Sequence, residues 1–279
     1  MSRLLCIALA VLPIASAQSV LQPDVRDIVR RSVQRDAVNF QRFRNYTFQE
    51  NTEETRYDKE GRATSTKTET ADILMLAGQP YTRLIAHDGR PLSEKEERKE
   101  QEKLDKELAK RLKDPEKQKA EFEKERAEDR RFFQEIPDAF DFTLLGEETV
   151  DGLPVWKIRA EPKPGYKPRE KDAGIFKKVR ATVWIDQGEY QWVKADVEVI
   201  ETISWGLFVL RIPPGAKISF LQTRVNAEVW LPKEVRIRAD ARLGLLKTFR
   251  MGFEIAYSNY RKFQSESQVV GAEEVPTVP

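Results

Sequence analysis

Cysteine is almost absent from this chain of 279 residues, because Cys6 is the only one. Cys6 lies inside an apolar stretch near the N-terminus that has the pattern of an export signal. If that stretch is removed on export, the mature chain contains no thiol, which excludes disulfide bonds, thiolate zinc sites and cysteine nucleophiles together. A chain of this kind has to be stabilised by its hydrophobic core alone.

Histidine is equally scarce, since His87 is the single example and stands directly before the turn residues Asp88-Gly89. A lone histidine at the end of a strand is typical of a surface residue rather than a general base. The sequence also lacks the nucleophile elbow, the phosphate loop, the zinc-protease motif and the dinucleotide-binding motif. Its many carboxylates leave a paired-carboxylate glycosidase open, but no spacing selects a pair. We therefore expect a protein that is not an enzyme and that uses no cofactor and no metal.

A strong net charge is missing too, because 48 lysines and arginines face 46 acidic residues, for a formal net charge of +2. The chain therefore has no overall field that would attract nucleic acid or an anionic membrane. Arg236, Arg238 and Arg242 form a short basic stripe, but Asp240 interrupts it. We interpret this stripe as a solvated outer face, and we expect no nucleic-acid partner.

Long apolar runs are confined to the N-terminus. Arg3 precedes the apolar stretch from Leu4 to Ile14, and Ala15-Ser16-Ala17 has the small residues of a cleavage site. The stretch is shorter than the roughly 20 apolar residues that a membrane-spanning helix needs. Residues 1–17 are therefore predicted to be a signal peptide that is cleaved near Ala17, leaving no transmembrane segment. Export without disulfide bonds indicates the periplasm of a Gram-negative-type bacterium.

Alternation of apolar and polar residues dominates the segment from Lys178 to Phe263. A period of two residues is that of a β-strand with one buried and one solvated face. The apolar members of the five runs, taken at every second residue, are Val179 to Ile185, Val193 to Val199, Leu221 to Leu231, Val235 to Leu243 and Phe249 to Tyr257. Shorter strands are predicted within residues 45–86, and a hairpin is predicted around Asp151-Gly152. The fold class is therefore mainly β, with one large curved antiparallel sheet.

Two helical segments interrupt this pattern. Apolar residues from Val25 to Val33 share one face of a predicted N-terminal helix. From Glu94 to Arg131, 28 of the 38 residues are charged, and Ser93 with Glu96 forms a capping box. This charged segment, residues 93–136, predicts an inserted helical arm with a break near Asp114-Pro115. The arm is either a device that docks a partner or a solvated helical hairpin, and the pattern favours the hairpin.

Short motifs along the strands resemble the outer-membrane lipoprotein-sorting (LolA-like) superfamily. The resemblance covers about residues 24–263, in order. The motifs are Asp151-Gly152-Leu153-Pro154-Val155-Trp156, Pro162-Lys163, Val183-Trp184-Ile185-Asp186, Leu231-Pro232-Lys233-Glu234-Val235 and Tyr257-Ser258-Asn259-Tyr260. The charged arm and a proline-rich loop or flap at residues 162–174 depart from the family pattern. Residues 18–263 are accordingly expected to form a single half-barrel domain, followed by a disordered tail at residues 264–279.

The resemblance implies an unclosed β-barrel whose concave apolar face is covered by helices, and a periplasmic carrier or sensor that shelters acyl chains. It implies no catalytic residue. The expected ligand is a lipid or an acylated lipoprotein, and an envelope protein is a further possible partner of the arm. The alternative is a non-enzymatic interaction module with a filled core and no lipid ligand. The residues predicted to contact an acyl chain are Val183, Val197, Val229, Ile237, Phe249 and Phe253.

Overall fold

The computed structural model describes residues 24–205, 210–243 and 247–262. The predicted signal peptide and the predicted tail lie outside the described residues. The helices are α1 (Val25–Phe43), α2 (Glu94–Lys113), α3 (Pro115–Gln134) and α4 (Ile136–Ala139), with a 3-10 helix at Ala173–Lys178. The strands are β1 (Tyr46–Tyr57), β2 (Ala63–Leu76), β3 (Gln79–His87), β4 (Arg90–Pro91), β5 (Phe140–Val150), β6 (Leu153–Pro162), β7 (Val179–Asp186), β8 (Trp192–Val199), β9 (Ile203–Trp205), β10 (Leu210–Ile212), β11 (Lys217–Val225), β12 (Val229–Leu243) and β13 (Lys247–Lys262).

All thirteen described strands belong to one antiparallel sheet. The main path runs in the order β4-β3-β2-β1-β13-β12-β11-β8-β7-β6-β5, and the short strands β9 and β10 extend from β12. Strands β1 and β13 come from opposite ends of the chain, yet they pair from Tyr46 opposite Lys262 to Tyr57 opposite Arg250. The sheet is not closed, because β4 and β5 stand at its two ends. The predicted fold class, a large antiparallel sheet that does not close into a barrel, is confirmed.

Helix α1 lies across one part of the apolar face of the sheet. The helix begins after Asp24, whose carboxylate accepts hydrogen bonds from the two free backbone N–H groups of Arg26 and Asp27. Its apolar stripe then buries Ile28 and Val29 in a cluster that also contains Trp156, Ile158 and Ile185. The helix is therefore amphipathic, and the sheet supplies the surface that its apolar stripe requires.

The far end of α1 is attached to an uncovered edge of β12. Pairing between β12 and β13 begins only at Glu234, so the earlier residues of β12 lack a strand on that side. The side-chain amide of Asn39 donates to the carbonyl of Trp230 at 2.7 Å and accepts from its backbone N–H at 2.8 Å. One side chain thereby satisfies both backbone groups of Trp230, as buried backbone requires.

The alternating run from Leu221 to Leu231 is a hairpin, and its interpretation as one strand is wrong. Asn226 and Ala227 adopt positive φ angles of 51° and 56° and form the turn between β11 and β12. The pair Pro232-Lys233, which has the composition of a turn, is instead a bulge inside β12, where the register shifts opposite Leu221 and Gln222. The alternation of apolar and polar residues runs through the turn without a break, because Ala227 in the turn continues the apolar positions of both strands.

The charged arm is a hairpin of α2 and α3 that lies beside β3. The capping box of Ser93 and Glu96 is present, and Asp114 caps α3 directly before Pro115, so the predicted start and break are confirmed. Arg111 is 9 % exposed, and its guanidinium donates to the carbonyls of Leu76 and Gln79 at 2.9 and 3.0 Å. The arm therefore covers a sheet edge that would otherwise leave backbone groups unpaired.

Replacing Arg111 by Met should loosen the arm, because it removes the donors that hold these carbonyls. We expect the free energy of unfolding to fall by about 2 kcal/mol, as for hydrogen bonds made by a charged group. The measurement is urea denaturation, together with hydrogen exchange of the α2 amides. Arg98→Met is the matched control, since Arg98 is exposed on the same helix, and equal losses for both variants would contradict the proposed anchoring.

Candidate functional site

The apolar face carries a continuous row of four side chains on neighbouring strands. Val197 on β8 lies opposite Ile218 on β11, which lies opposite Ile237 on β12, which in turn lies opposite Phe253 on β13. The Cβ atoms of directly opposite residues are about 5 Å apart, so these side chains touch one another. Ile218 is 38 % exposed and the other three are half-buried, so solvent reaches part of this row.

A second apolar row runs beside the first. Ala195 lies opposite Phe220, Phe220 opposite Val235, and Val235 opposite Ile255. The ring of Phe220 also packs against Trp192, with ring centroids 4.4 Å apart. We refer to the two rows together as the apolar strip; its members are Val197, Ile218, Ile237, Phe253, Ala195, Phe220, Val235 and Ile255.

Four of the six residues predicted to contact an acyl chain lie on this face outside the region under α1. Val197, Ile237 and Phe253 are members of the first row of the apolar strip. Phe249 is half-buried on β13, and the two-residue period places it on the same face as Phe253. The structure therefore brings three of the predicted residues into one cross-strand row and places a fourth further along one of their strands.

The other two predicted residues belong to clusters beside α1. Val183 packs against the cluster that contains Ile28 of α1. Val229 is 0 % exposed and packs with Tyr46 and Leu231. The closed structure thus covers both side chains, and contact with a ligand would require α1 to move.

Sequence reasoning missed Ile218 and Phe220. Both faces of β11 carry large apolar residues, because Leu221 packs on the cluster around Trp184 while Phe220 belongs to the apolar strip. Alternation within the strand therefore selects no face by itself. The cross-strand pairing with Ile237 is the signal that assigns Ile218, and pairing is a property of the folded sheet.

The opposite, polar face of the same strands forms a groove of about 790 Å³. Strands β1 and β6 at its two sides contribute only polar-face residues, which are Glu53, Thr55 and Tyr57 on one side and Arg159 and Glu161 on the other. The intervening strands contribute both polar and apolar residues in alternation. The polar side chains point into the groove, whereas the apolar side chains point to the opposite face, so that only the backbone of the apolar residues forms part of the groove floor. The charged side chains that line the groove are Glu53, Arg159, Glu161, Arg180, Asp196, Glu198, Lys217, Arg236, Arg238 and Glu254.

Some of these charges are already paired inside the groove. The guanidinium of Arg180 donates to the Glu198 carboxylate at 2.8 and 3.0 Å, and this contact raises the pKa of Arg180. Asp196 accepts a hydrogen bond of 2.6 Å from the Ser219 hydroxyl and an ion pair of 2.9 Å from Lys194. A surface with balanced charge of this kind offers little to an apolar ligand, because desolvating charged groups is costly.

The proline-rich segment predicted as a loop or flap is held to the junction of α3 and α4 by one buried carboxylate. Glu135, 1 % exposed, lies at the end of α3 and accepts the hydroxyl hydrogen of Tyr166. The same carboxylate accepts backbone hydrogen bonds from Arg169 at 3.0 Å and from Glu170 at 2.5 Å. Tyr166 in turn belongs to the largest buried cluster, so this segment covers the core rather than standing free.

The described residues contain no group of three or more His, Cys, Asp and Glu side chains that could hold a metal ion. His87 contacts Glu96 at 3.2 Å beside the capping box. The Ser93 hydroxyl and backbone, followed by His87, lower the pKa of Glu96 to about 2. These groups stabilise the start of α2. None of the helices described here combines the length and the apolar character needed to span a membrane.

No family model matches the chain, and no curated protein matches it in sequence. Solved structures to which the chain is similar include the following three. A domain from Vibrio parahaemolyticus described as an outer membrane lipoprotein-sorting protein is 10 % identical, with 86 % of this chain and 96 % of that chain covered and a TM-score of 0.36. A DUF1329 family protein from Desulfovibrio piger is 14 % identical, with 88 % and 95 % covered and a TM-score of 0.30. A LolA superfamily protein from Nitrosomonas europaea is 10 % identical, with 88 % and 97 % covered and a TM-score of 0.27.

Two of these three structures are described as members of the lipoprotein-sorting (LolA) group that the sequence motifs resemble. At these identities and TM-scores, no residue role and no ligand carries over from them to this chain.

Proposed function

We propose that this is an exported protein of the bacterial periplasm that binds an acyl chain, from a lipid or an acylated lipoprotein, as a carrier or sensor. The observation that supports the proposal is the apolar strip, in which Val197, Ile218, Ile237 and Phe253 are directly paired across four strands. With strands about 4.8 Å apart, the row is about 14 Å long. This row is long enough to lie along an extended segment of an acyl chain.

Burial of apolar surface would supply the binding energy. A methylene group removed from water contributes about 0.8 kcal/mol, and the exposed part of Ile218 gains from the same contact. The strip contains no charged side chain in either row, so an acyl chain laid on it desolvates no ion. The polar groove on the other face lacks this property, which is why we assign the acyl chain to the strip.

Helix α1 is the candidate lid of this site. It covers Val183 and its end lies beside the cluster of Val229. Movement of α1 would extend the apolar strip toward these two side chains, the two predicted contacts that are covered in the closed structure. The polar links that such movement has to break include Asn39 with Trp230 at 2.7 Å and Asp36 with the Trp192 indole at 3.3 Å.

The proposal is tested by purifying the native protein, extracting it for lipid mass spectrometry and titrating it with a fluorescent fatty acid. We expect a co-purified lipid and saturable fatty-acid binding. Ile237→Asp should weaken this binding about tenfold or more, because a carboxylate would be desolvated where an apolar side chain was buried.

Ala256→Asp is the matched control, since Ala256 is exposed on the polar face of β13. It adds the same carboxylate to the adjacent strand without touching the apolar strip, and it should bind as the unmodified protein does. Absence of co-purified lipid together with absence of fatty-acid binding would overturn the proposal.

The second candidate function is a protein-interaction module, which the exposed apolar side chains of the arm favour. Leu112 is 57 % exposed and Phe133 is 46 % exposed, so both apolar side chains are accessible to a partner. Replacing both by Ser should abolish capture of an envelope partner but leave fatty-acid binding unchanged. Deleting residues 94–131 is a poorer test, because it also removes the anchoring side chain of Arg111.

A further inference from the structure

The polar groove contains two pairs of like charges that face each other directly across neighbouring strands. Lys217 on β11 lies opposite Arg238 on β12, and Glu53 on β1 lies opposite Glu254 on β13. Like charges that are directly opposite destabilise a sheet. Both pairs line the same groove.

Neither cation has a carboxylate partner among the described residues. Glu198 is the residue opposite Lys217 on β8, but the guanidinium of Arg180 already holds it at 2.8 Å. The guanidinium carbon of Arg238 lies 5.1 Å from the ring centroid of Tyr57. That contact orients Arg238 but does not neutralise it, so Lys217 and Arg238 present two uncompensated positive charges.

Neither anion has a cationic partner within the described part of the chain. Arg236 lies opposite Glu254, but its guanidinium contacts Glu234 through two separate N–O pairs, both at 2.8 Å. Glu53 accepts a hydrogen bond of 3.3 Å from the Thr55 hydroxyl, which leaves its charge in place. Glu53 and Glu254 therefore present two uncompensated negative charges.

Gly252 lies between the two pairs, and the side chain of Tyr57 packs over it. Gly252 lies opposite Arg238 on β13, two residues before Glu254. Diagonal neighbours of this kind have Cα atoms about 7–8 Å apart. A Cβ atom at Gly252 would lie 3.1 Å from the hydroxyl of Tyr57, so glycine leaves the room that the tyrosine side chain occupies beside Arg238. Arg238 and Glu254 are the nearest members of the two pairs, as diagonal neighbours on β12 and β13.

We propose that this groove binds a zwitterion that joins a phosphate ester to a primary ammonium group, as phosphoethanolamine does. The phosphate contacts Arg238, with Lys217 beside it, and the ammonium contacts Glu254, with Glu53 beside it. Such a ligand relieves both like-charge repulsions at once, whereas a simple anion meets the acidic pair and a simple cation meets the basic pair. The inference concerns the face opposite the apolar strip and does not rest on acyl-chain binding.

A primary ammonium fits this site better than a quaternary one. Quaternary ammonium groups are recognised by aromatic cages, and Tyr57, the aromatic side chain that faces this part of the groove, already stacks with Arg238. Carboxylates, in contrast, accept the three hydrogen bonds that a primary ammonium donates. Phosphocholine should therefore bind more weakly than phosphoethanolamine.

The test is a titration of the full mature chain with phosphoethanolamine, followed by two-dimensional NMR. We expect saturable shifts of the Gly252 amide, which lies between the two charge pairs. Lys217→Met should weaken the binding of both phosphoethanolamine and inorganic phosphate about two- to fivefold, as for an exposed ion pair. Glu254→Gln should weaken the binding of phosphoethanolamine by a similar factor, but it should not weaken the binding of inorganic phosphate.

Lys103→Met is the control, because Lys103 is exposed on α2 and pairs with Glu100 away from the groove. It should leave all affinities unchanged, and thermal unfolding should show that every variant is folded. Vesicles of phosphatidylethanolamine show whether the phosphoethanolamine group comes from a lipid headgroup or from a free small molecule. Their binding identifies a lipid headgroup, and binding of free phosphoethanolamine without vesicle binding identifies a small molecule.

Three results would overturn the proposal. One is the absence of a saturable shift at Gly252 with phosphoethanolamine. Another is equal binding by Lys217→Met, Glu254→Gln and the unmodified protein. The third is binding of an extended peptide with neighbouring acidic and basic residues when phosphoethanolamine does not bind, which would assign the groove to a protein partner. None of these results bears on fatty-acid binding to the apolar strip.

Discussion

Glu135→Ala is expected to lower the free energy of unfolding by about 3 kcal/mol, since removing one partner of a buried charged network leaves the others unpaired. The variant leaves three donors without their acceptor, namely the Tyr166 hydroxyl and the backbone N–H groups of Arg169 and Glu170. Urea denaturation measures the loss. Glu125→Ala is the control on α3, because Glu125 is exposed. A loss no larger than that of the control would show that Glu135 does not hold the segment at residues 162–174.

The same carboxylate should make stability depend on pH. Burial raises the pKa of Glu135, but hydrogen bonds from Tyr166 and from the N–H groups of Arg169 and Glu170 outweigh burial and lower it overall. A lowered folded-state pKa contributes stability that is present above the unfolded value, about 4.3, and is lost as pH falls through the folded value. Glu135→Gln should remove that part of the acid dependence, which denaturation curves at several pH values would measure. An unchanged acid dependence would contradict it.

Ile158→Ala should cost about 3–4 kcal/mol, as expected when a fully buried isoleucine is truncated. Ile158 is 0 % exposed and packs with Ile28 and Val29 of α1 on one side of the sheet. The truncation leaves a cavity between the helix and the sheet that neither can fill. The measurement is chemical denaturation followed by tryptophan fluorescence.

Ile218→Ala is the matched control for this truncation. Ile218 is 38 % exposed in the apolar strip, so its removal should cost less than about 1 kcal/mol. The two variants should rank in the opposite order in fatty-acid binding, where Ile218→Ala should weaken the affinity more than Ile158→Ala does. Equal stability losses in the two variants would mean that the strip is as well packed as the core under α1.

Much of the fold could be predicted because its signals are local. A two-residue period requires only that one face of a strand is buried, and it identified the strands around Val183, Ile237 and Phe253. The arm was predicted with its start and break because Ser93 and Asp114 act on backbone groups within a few residues of themselves. The hairpin between β11 and β12 was missed because Asn226-Ala227 supplies a turn without interrupting the alternation.

The candidate site could be predicted only in part, because it depends on which strands are neighbours. The sequence places Val229 and Ile237 on one apolar strand, and nothing local shows that the first is fully buried while the second is half-buried. The position of α1 makes that difference. The charged pairs of the groove are likewise invisible in the sequence, since Glu53 and Glu254 are far apart along the chain and meet only in the register of β1 and β13.

The sequence by itself determined a mainly β protein with an amphipathic N-terminal helix and a charged helical arm, because period, capping and turn chemistry act over a few residues. Only the tertiary structure decided which apolar residues remain open and which charges face each other. Both depend on cross-strand register and on where α1 and the arm pack, and these are long-range contacts that no local pattern encodes.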